Sequence, residues 1–378
     1  MSKPAGIQEK TVTEGSAIIY YLPYKPSYKD KLYARFGNNK FTLIRKAFSF
    51  AELFFQNFFL RVLPFYNFYT KAVQLFEENP DLCKVVITAN PFVAFFIGYK
   101  LKKKYPRVKW VADYRDDWNT TELITKRNFL ERILFYLESA SEKKWVGTAT
   151  AITTISGYYL QKISAFTAVK GHVLLNGYSD DDGPAIKSTG QSNELAITYN
   201  GTLYASQPIE IFLQGFKDAY VKLSGRLPLK LFFPGLAFDP SQAKRVLDFM
   251  KGHEQALEIT ERVPRSKVFE IQNRSHAFLM IAHKDIKGIP SSKLYEYLNF
   301  RKPVLLCPND NDIIEQTLLD SGLGIICNSA AEVQEQIVKM AEVIIEKGKL
   351  NTTVNEDKLL NYSRRNQAKV LAEILNSL

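Results

Sequence analysis

The chain has 378 residues, enough for two domains that each bury a core, and its 46% hydrophobic and 24% charged residues are typical of a soluble globular protein. The net charge of +11 predicts an anionic partner: a nucleic acid, a membrane surface or a phosphorylated ligand. The three cysteines are far apart and lie in apolar runs, which excludes a disulfide framework and fits a reducing cytosol.

The N-terminal region is the least regular part of the sequence. Residues 1–15 contain no apolar run, so no signal peptide is expected. A strand is predicted at 16–22 ("SAIIYYL"), but no glycine-rich turn and helix follow it. Either the first βα unit of the domain is absent, or its sequence is too divergent to show it.

An apolar and aromatic tract occupies residues 41–70. Arg45, Lys46, Glu52 and Arg61 interrupt it, so it lacks the run of about 20 apolar residues that a membrane-spanning helix needs. Large apolar side chains recur in it at helical spacing: Phe50, Phe54, Phe55, Phe58, Phe59 and Val62. Two interpretations stay open. The helix either buries its Phe face in the core or lies in a bilayer interface, with basic residues beside it.

Short apolar runs alternate with helical patterns along the rest of the chain, which predicts parallel α/β architecture. In the first half the runs lie at 84–88, 108–113, 150–155 and 172–175. In the second half they lie at 195–199, 229–233, 257–260, 277–282, 303–307 and 323–327. The clearest helical patterns lie between these, at 208–222, 240–251, 312–320 and 330–346.

The predicted fold class is therefore α/β, with two Rossmann-like domains whose doubly wound parallel sheets face a cleft. The N-terminal domain is predicted at 1–178, a polar linker at 179–194 and the C-terminal domain at 195–360. No strand follows the last helix, at 361–378. Its apolar stripe predicts that it packs back on the first domain.

Charged residues concentrate where the strand at 108–113 ends, in "KWVADYRDDWN". Asp113, Arg115, Asp116 and Asp117 fall within five residues, at the expected mouth of the cleft. They form either a ligand-facing cluster or a solvated, salt-bridged loop. Trp118 either stacks on a sugar or packs against the domain.

Two further candidates follow strands of the second domain. Gly201 and Thr202 lie in the turn "YNGTLY", where a glycine lets the backbone approach a ligand closely. His283 follows the run "AFLMIA" at its carboxyl end. The other histidines and the cysteines show no metal-ligand spacing, and no P-loop, G-x-G-x-x-G or nucleophile elbow is present.

The stretch "GIPSSKLYEYLNFRKPVLL" has the pattern of a loop, a short helix and a buried strand. Pro290 fixes the loop, and Ser291 or Ser292 can cap the helix. The free N–H groups of the first turn, together with Lys293, favour an anion such as a diphosphate. Glu296 lies on the same face and either accepts hydrogen bonds from hydroxyls or only complements the helix dipole.

The segments "ADYRDDW", "TTIS", "NGYSDD", "YNGTLY", "IPSSKLYEYLNFRKPVL" and "YSRRNQAKVLAEIL" follow one another in an order that resembles the family 4 glycosyltransferases of bacteria. These are retaining enzymes of the GT-B fold that use nucleotide-diphosphate sugars. The resemblance runs from about residue 80 to the end and is most specific at 289–305. In that family a Glu-(seven residues)-Glu motif spans this loop and helix. Glu296 matches its second Glu, which contacts the ribose, and Gly288 replaces its first, which binds the donor sugar.

The resemblance also implies a diphosphate site with an Arg and a Lys near the first turn of the second domain. Thr202 and Gln207 occupy roughly those positions here. Lys293 is therefore the expected substitute, ahead of Arg262 and Arg265. On the acceptor side, "ADYRDDW" matches an acidic turn of the family.

The implied activity is transfer of a sugar, with retention, from a nucleotide-diphosphate donor to a glycan or lipid-linked acceptor in cell-surface polysaccharide biosynthesis. Asp113, Arg115 and Asp116 are the expected catalytic residues, and no metal or cofactor is expected. The alternatives are a non-catalytic GT-B relative that binds sugar nucleotide or glycan, and a sugar-nucleotide epimerase.

The expected location is the cytoplasm, with peripheral attachment to the anionic inner face of the cytoplasmic membrane. Nucleic acid is not an expected partner, because the basic residues are scattered and no recognised binding module is present.

Overall fold

The computed structural model describes residues 9–37, 42–121, 128–179 and 193–378. The chain forms two compact units. The first comprises the described residues of 1–173 together with Ile374–Leu378, and the second comprises those of Leu174–Glu373. No helix in the described ranges is long and apolar enough to cross a membrane.

The first unit contains a two-stranded antiparallel hairpin and a four-stranded parallel sheet. The hairpin pairs β1 (Lys10–Glu14) with β2 (Ala17–Tyr21). The parallel sheet has the order β3-β4-β5-β6, from β3 (Lys84–Ala89), β4 (Lys109–Tyr114), β5 (Ala151–Thr154) and β6 (Gly171–Val173). Its helices are α1 (Tyr28–Phe36), α2 (Thr42–Phe55), α3 (Tyr66–Glu78), α4 (Phe95–Lys104), α5 (Phe129–Val146) and α6 (Gly157–Thr167).

The strand predicted at 16–22 is present as β2, but it does not join the parallel sheet. It forms the second strand of the hairpin, because Gly15 and Ser16 make a two-residue turn between the paired residues Glu14 and Ala17. Gly15 has a positive φ of 60°, which the turns of such short hairpins require.

The second unit contains one parallel sheet of six strands in the order β12-β11-β10-β7-β8-β9. The strands are β7 (Leu195–Thr198), β8 (Leu229–Phe233), β9 (Leu257–Ile259), β10 (Ala277–Met280), β11 (Val304–Leu306) and β12 (Gly324–Ile326). All six lie within or across the predicted runs. The order reverses between β7 and β10, as in the dinucleotide-binding type of doubly wound sheet.

Helices cover both faces of this sheet. They are α7 (Glu210–Lys222), α8 (Pro240–Phe249), α9 (Arg265–Arg274), α10 (Ser292–Asn299), α11 (Ile313–Ser321), α12 (Ala330–Lys347) and α13 (Glu356–Leu360). The last helix is α14 (Arg364–Ser377), and its residues from Ile374 belong to the first unit. Alternate residues of β10 belong to different cores: Leu279 packs with the α7 and α12 side, and Phe278 with the α10 side. A strand buried on both faces reads as a continuous apolar run, which is why these strands were visible in the sequence.

The last residues of the predicted N-terminal domain, from Leu174, belong to the second unit. Tyr178 is buried, and it is tied to the segment before α14 by backbone hydrogen bonds to Tyr362 (3.0 Å) and Arg364 (2.9 Å). A Cβ on Gly177 would lie 2.7 Å from the Arg364 nitrogen, so this contact needs a glycine. Residues 180–192 of the predicted linker lie outside the described residues.

Candidate functional site

The candidate site of the second unit lies where the strand order of its sheet reverses. The loops after β7 and β10 are joined there, because the side-chain amide of Gln207 donates to the Ile281 carbonyl at 2.6 Å. Parallel α/β sheets bind ligands outside the carboxyl ends of their strands at such a reversal. Gly201, Thr202 and His283, which the sequence predicts to bind the donor, all lie in these two loops.

Lys293 reaches the loop after β7 from the first turn of α10. Its Nζ donates to the hydroxyl of Tyr199 at 2.9 Å and to the carbonyl of Thr202 at 2.7 Å. Gly201 has a φ of +83°, and a Cβ there would lie 3.2 Å from Cε of Lys293. Glycine supplies both this backbone conformation and this close approach. The structure thus brings together Gly201, Thr202 and Lys293.

Burial lowers the pKa of Lys293 to about 7, and the negative charge of Glu296 opposes that shift. When it is protonated, the ammonium group has three N–H donors, and Tyr199 and Thr202 accept two of them. The third donor lies at the helix terminus whose free backbone N–H groups also favour an anion. This turn therefore suits a diphosphate.

The loop before α10 shapes that turn. Ser291 is the N-cap, and its hydroxyl accepts from the Lys293 amide at 3.3 Å. Pro290 is buried, whereas Ser292 is the first helical residue and is exposed. Of the two serines that the sequence left open as the cap, the structure selects Ser291.

His283 lies next to this turn in the loop after β10. Its Nδ1 is 2.8 Å from the hydroxyl of Ser206, and its ring centroid is 5.4 Å from that of Tyr204. Burial lowers the pKa of His283, and the nearby charge of Lys293 lowers it further. The imidazole is therefore held towards its neutral form, in which one nitrogen accepts and the other donates.

Glu296 opens into a cavity of about 360 Å³ on one side of α10. Its Oε1 accepts from Nε2 of the buried Gln272 at 2.8 Å, which fixes the direction of the carboxylate. The walls of this cavity come from the segment 176–179, from α9, from α10 and the residue after it, and from the start of α14: Asn176, Gly177, Tyr178, Ser179, Arg265, Phe269, Ser292, Tyr295, Asn299, Phe300 and Arg364. The arrangement offers a carboxylate and hydroxyls together with aromatic walls.

A second cavity, of about 490 Å³, lies at the carboxyl ends of β7, β8 and β9. Gly201, Thr202 and Arg262 are among its lining residues. The guanidinium of Arg262 lies 3.4 Å from the ring centroid of Phe238. Each of the two arginines that the sequence offered as alternatives to Lys293 thus borders one of the two cavities, since Arg265 lines the first.

Thr202 and Gln207 lie at the positions that the family resemblance assigns to an Arg and a Lys. In this structure both contribute to the hydrogen bonds around Lys293. Thr202 accepts from Lys293 through its carbonyl. The buried Gln207 accepts from the Tyr199 hydroxyl at 3.0 Å and so fixes the group to which Lys293 donates. Sequence analysis missed Tyr199, because an aromatic residue after a strand gives no signal of such a role.

Gly288 lies in the loop before α10 at a φ of +78°. Its amide donates to Oδ2 of Asp312 at 2.6 Å. Asp312 precedes α11 but makes no side-chain capping bond, since the carboxylate of Asp310 accepts from the Ile314 amide at 2.9 Å instead. A carboxylate therefore stands next to Gly288, supplied by a residue that sequence analysis did not select.

The cluster in the first unit is built around Asp113, whose side chain is almost fully buried at the end of β4. Its carboxylate accepts from Thr88 Oγ1 at 2.9 Å, Thr153 Oγ1 at 2.7 Å and Arg115 Nε at 2.9 Å. Asp113 therefore holds Arg115, which is partly exposed.

Asp116 and Trp118 follow in the same turn. Asp116 is exposed as a whole residue, but its carboxyl group is partly buried. That burial raises the pKa of Asp116, and a hydrogen bond from Asn90 opposes the shift. The ring of Trp118 stacks on Phe92 at 5.2 Å and on Trp145 at 6.3 Å between centroids. These contacts favour a packing role for Trp118.

Glu142, on α5, supports this turn from inside the unit. It is fully buried, and it accepts from the Tyr114 hydroxyl at 2.9 Å and from Nδ2 of Asn119 at 2.6 Å. Burial raises its pKa to about 7. Because Tyr114 and Asn119 flank Arg115 and Asp116, the carboxylate joins both ends of the turn to α5.

Comparison with solved structures identifies the fold as GT-B, which confirms the predicted fold class. The chain is similar to a UDP-forming trehalose-phosphate synthase from Burkholderia vietnamiensis, with a TM-score of 0.58 and 11% identity over 99% of this chain and 92% of that one. It is also similar to Anabaena HepE in complex with UDP and glucose (TM-score 0.56, 13% identity, 84% and 83% covered). A third similar structure is that of a glycosyltransferase from Rickettsia africae, with a TM-score of 0.53 and 15% identity over 82% of this chain and 80% of that one. No protein-family model and no curated protein matches the chain.

Replacing Glu142 with Ala should destabilise the protein by about 2–4 kcal/mol, because it leaves the buried Tyr114 hydroxyl and the half-buried Asn119 amide without this acceptor and opens a cavity. Glu142→Gln should cost less, since one oxygen remains to accept from Tyr114. Urea unfolding followed by circular dichroism measures both changes. Arg132→Ala, an exposed position on the same helix, is the matched control. Equal stability of Glu142→Ala and the control would contradict the supporting role of Glu142.

Proposed function

We propose that the chain transfers a sugar from a nucleotide-diphosphate donor to a glycan or lipid-linked acceptor, with retention, as a family 4-like hexosyltransferase in cell-surface polysaccharide biosynthesis. The observation that carries the proposal is the position of Lys293 at the N-terminus of α10, next to Gly201, where the strand order of the second sheet reverses. The shared fold supports it, since HepE has been solved with UDP-glucose.

In this proposal the second unit holds the donor. The diphosphate lies against Lys293, Gly201 and the first turn of α10, and Glu296 accepts hydrogen bonds from the ribose hydroxyls. Lys293 and the helix dipole stabilise the charge that develops on the leaving diphosphate, as preorganised groups do. The positive charge comes from the protein itself, so the proposal includes no metal ion.

The first unit supplies the acceptor side. The bond between the sugar carbon and the diphosphate oxygen breaks, and a bond from that carbon to the acceptor oxygen forms on the same face. We assign the acceptor proton to Asp116, because Asp113 already accepts three hydrogen bonds. Arg115, held by Asp113, is the group that binds the acceptor.

The proposed location is the cytoplasm, where the acceptor is met at the inner face of the membrane. The described cysteines, Cys83, Cys307 and Cys327, are unpaired, which supports a reducing compartment.

The test of the activity is a panel of nucleotide-diphosphate sugars offered with and without glycan and lipid-linked acceptors. We expect a free nucleoside diphosphate and a glycosylated acceptor whose anomeric configuration, read by NMR, equals that of the donor. An epimerised sugar formed without acceptor would identify an epimerase instead. Binding without turnover across the whole panel would identify a non-catalytic relative.

Glu296→Ala should weaken nucleotide binding about tenfold or more, because a hydrogen bond to a charged group contributes about 1.5–3 kcal/mol. The nucleotide affinity of Glu296→Gln should lie between those of Glu296→Ala and the parent, since the amide oxygen can still accept from a hydroxyl. Isothermal titration calorimetry measures the affinities, and the melting temperature reports folding. Glu270→Ala, an exposed carboxylate on α9, is the control. Unchanged affinity in Glu296→Ala would remove Glu296 from the site.

Nucleoside diphosphate affinity should fall as the pH rises from 7.5 to 9, by up to about tenfold per pH unit. Lys293 has a pKa lowered to about 7, so above that pH the free protein must take up a proton to present the charged form. Phosphate groups, with a second pKa of about 6, stay ionised throughout this range.

Lys293→Arg should abolish this pH dependence, because an arginine remains charged. Lys293→Ala should weaken the nucleoside diphosphate far more than the nucleoside, and the affinity of the nucleoside should not change with pH. The same slope in Lys293→Arg, or equal losses for the two ligands in Lys293→Ala, would contradict a phosphate role.

A further inference from the structure

The outer surface of α2 and of the residues just after it is apolar. Among the residues of α2 itself none is buried. Large side chains are exposed along one stretch, which we call the α2 aromatic surface: Leu43 (81%), Ile44 (48%), Phe55 (47%), Phe58 (50%), Phe59 (57%) and Val62 (39%). Ile44 and Phe55 are eleven residues apart on α2, about three turns, so they lie on one side of the helix. Phe59 follows the end of the helix, and its ring centroid lies 6.3 Å from that of Phe55. That spacing normally marks the face that a soluble protein buries.

The neighbouring helix α5, which packs against α2, also exposes large apolar side chains. Phe129 and Tyr136 are seven residues apart, two helical turns, and are exposed by 76% and 73%. Leu130, between them, is exposed by 52%. Nothing in the sequence connects these residues with the tract at 41–70, since 58 residues lie between Thr70 and Phe129.

The positive charge of the chain belongs to the same unit. Residues 1–173 contain 26 Lys and Arg against 14 Asp and Glu, whereas residues 174–378 contain 24 against 25. Lys46 and Arg61 are exposed within the α2 aromatic surface itself. The whole surplus thus lies in the half of the chain that carries the aromatic residues.

We propose that the α2 aromatic surface, with Phe129, Leu130 and Tyr136, docks the first unit on an anionic lipid bilayer. Exposed Phe and Leu side chains enter the boundary between headgroups and acyl chains, and lysine and arginine side chains contact the anionic headgroups. A second copy of the chain fits this surface less well, because it would bring two strongly basic units face to face. The inference goes beyond sugar transfer and does not depend on it.

The experiment is co-sedimentation of the full chain with vesicles of 30% phosphatidylglycerol and 70% phosphatidylcholine, at 50 mM and 500 mM salt. We expect binding at low salt that weakens at high salt, because the added ions screen the attraction between the basic side chains and the anionic headgroups. Pure phosphatidylcholine vesicles should bind less. The triple variant Ile44→Gln, Phe55→Gln, Phe59→Gln should lose at least about tenfold in the partition coefficient, as expected for removal of several exposed apolar groups.

Matched controls separate this surface from apolar exposure and charge in general. Val221→Gln, Leu319→Gln, Ile345→Gln removes three equally exposed apolar side chains of the second unit and should bind like the parent. Lys46→Glu, Arg61→Glu should lose most of the salt-dependent binding, whereas Lys244→Glu, Lys267→Glu should not. Phe129→Gln, Tyr136→Gln gives an independent test on α5.

Three results would overturn the proposal. The first is absence of binding to the anionic vesicles at 50 mM salt. The second is equal binding by the α2 triple variant and its control, with both folded by circular dichroism. The third is a dimer in sedimentation velocity that the α2 triple variant abolishes while no variant changes vesicle binding, which would assign the surface to a second copy. Sugar transfer to a soluble acceptor is measured separately and is expected to be the same in all of these variants.

Discussion

The approach of Lys293 to the loop after β7 is the interaction on which the site of the second unit depends. Lys293 and Tyr199 are distant in sequence and meet only because β7 and β10 are neighbours at the reversal of strand order. The buried hydroxyl of Tyr297 on α10 accepts from the Asn200 amide at 2.7 Å, so the helix and the loop are joined at a second point. Any side chain at 201 would intrude on this contact. At a pH near neutral, the positive charge of Lys293 is thereby kept in a half-buried position. The described hydrogen bonds of its ammonium group go to a hydroxyl and a carbonyl, not to a carboxylate.

Most strands were predictable from periodicity, because the strands of a parallel sheet appear as short apolar runs. This held for all six strands of the second unit and for β3 to β6 of the first. At 16–22 an apolar run of similar length also forms a strand, β2, but this strand pairs in a hairpin. The deciding residues there were Gly15 and Ser16, a turn signal outside the run. Local turn chemistry, rather than hydrophobicity, determined which sheet that strand joined.

The site was predictable only where it depends on local sequence. The cap Ser291, Lys293 and Glu296 can be recognised directly from the sequence of one short helix. The structure places all three in or next to the first turn of α10. Partners that come from distant segments were invisible: Tyr199 and Gln207 for Lys293, Gln272 for Glu296, and Glu142 for the turn of the first unit. Asp113 shows the same limit from the other side. Its position at a strand end suggested chemistry, but Thr88 and Thr153 on the neighbouring strands satisfy its carboxylate.

The distribution of charge separates two roles that the net charge combined. A total of +11 was compatible with a phosphorylated ligand and with a membrane, but residues 174–378 carry almost equal numbers of basic and acidic side chains. In the proposed function, attraction of a diphosphate to that unit comes from local geometry: one lysine, one helix terminus and a glycine beside them. The surplus lies in residues 1–173, which also carry the exposed aromatic side chains of the α2 aromatic surface, and this combination suits the extended partner that we propose. A long-range field suits a bilayer, and a single well-placed charge suits a small anion, so the two binding tasks can vary independently in this chain.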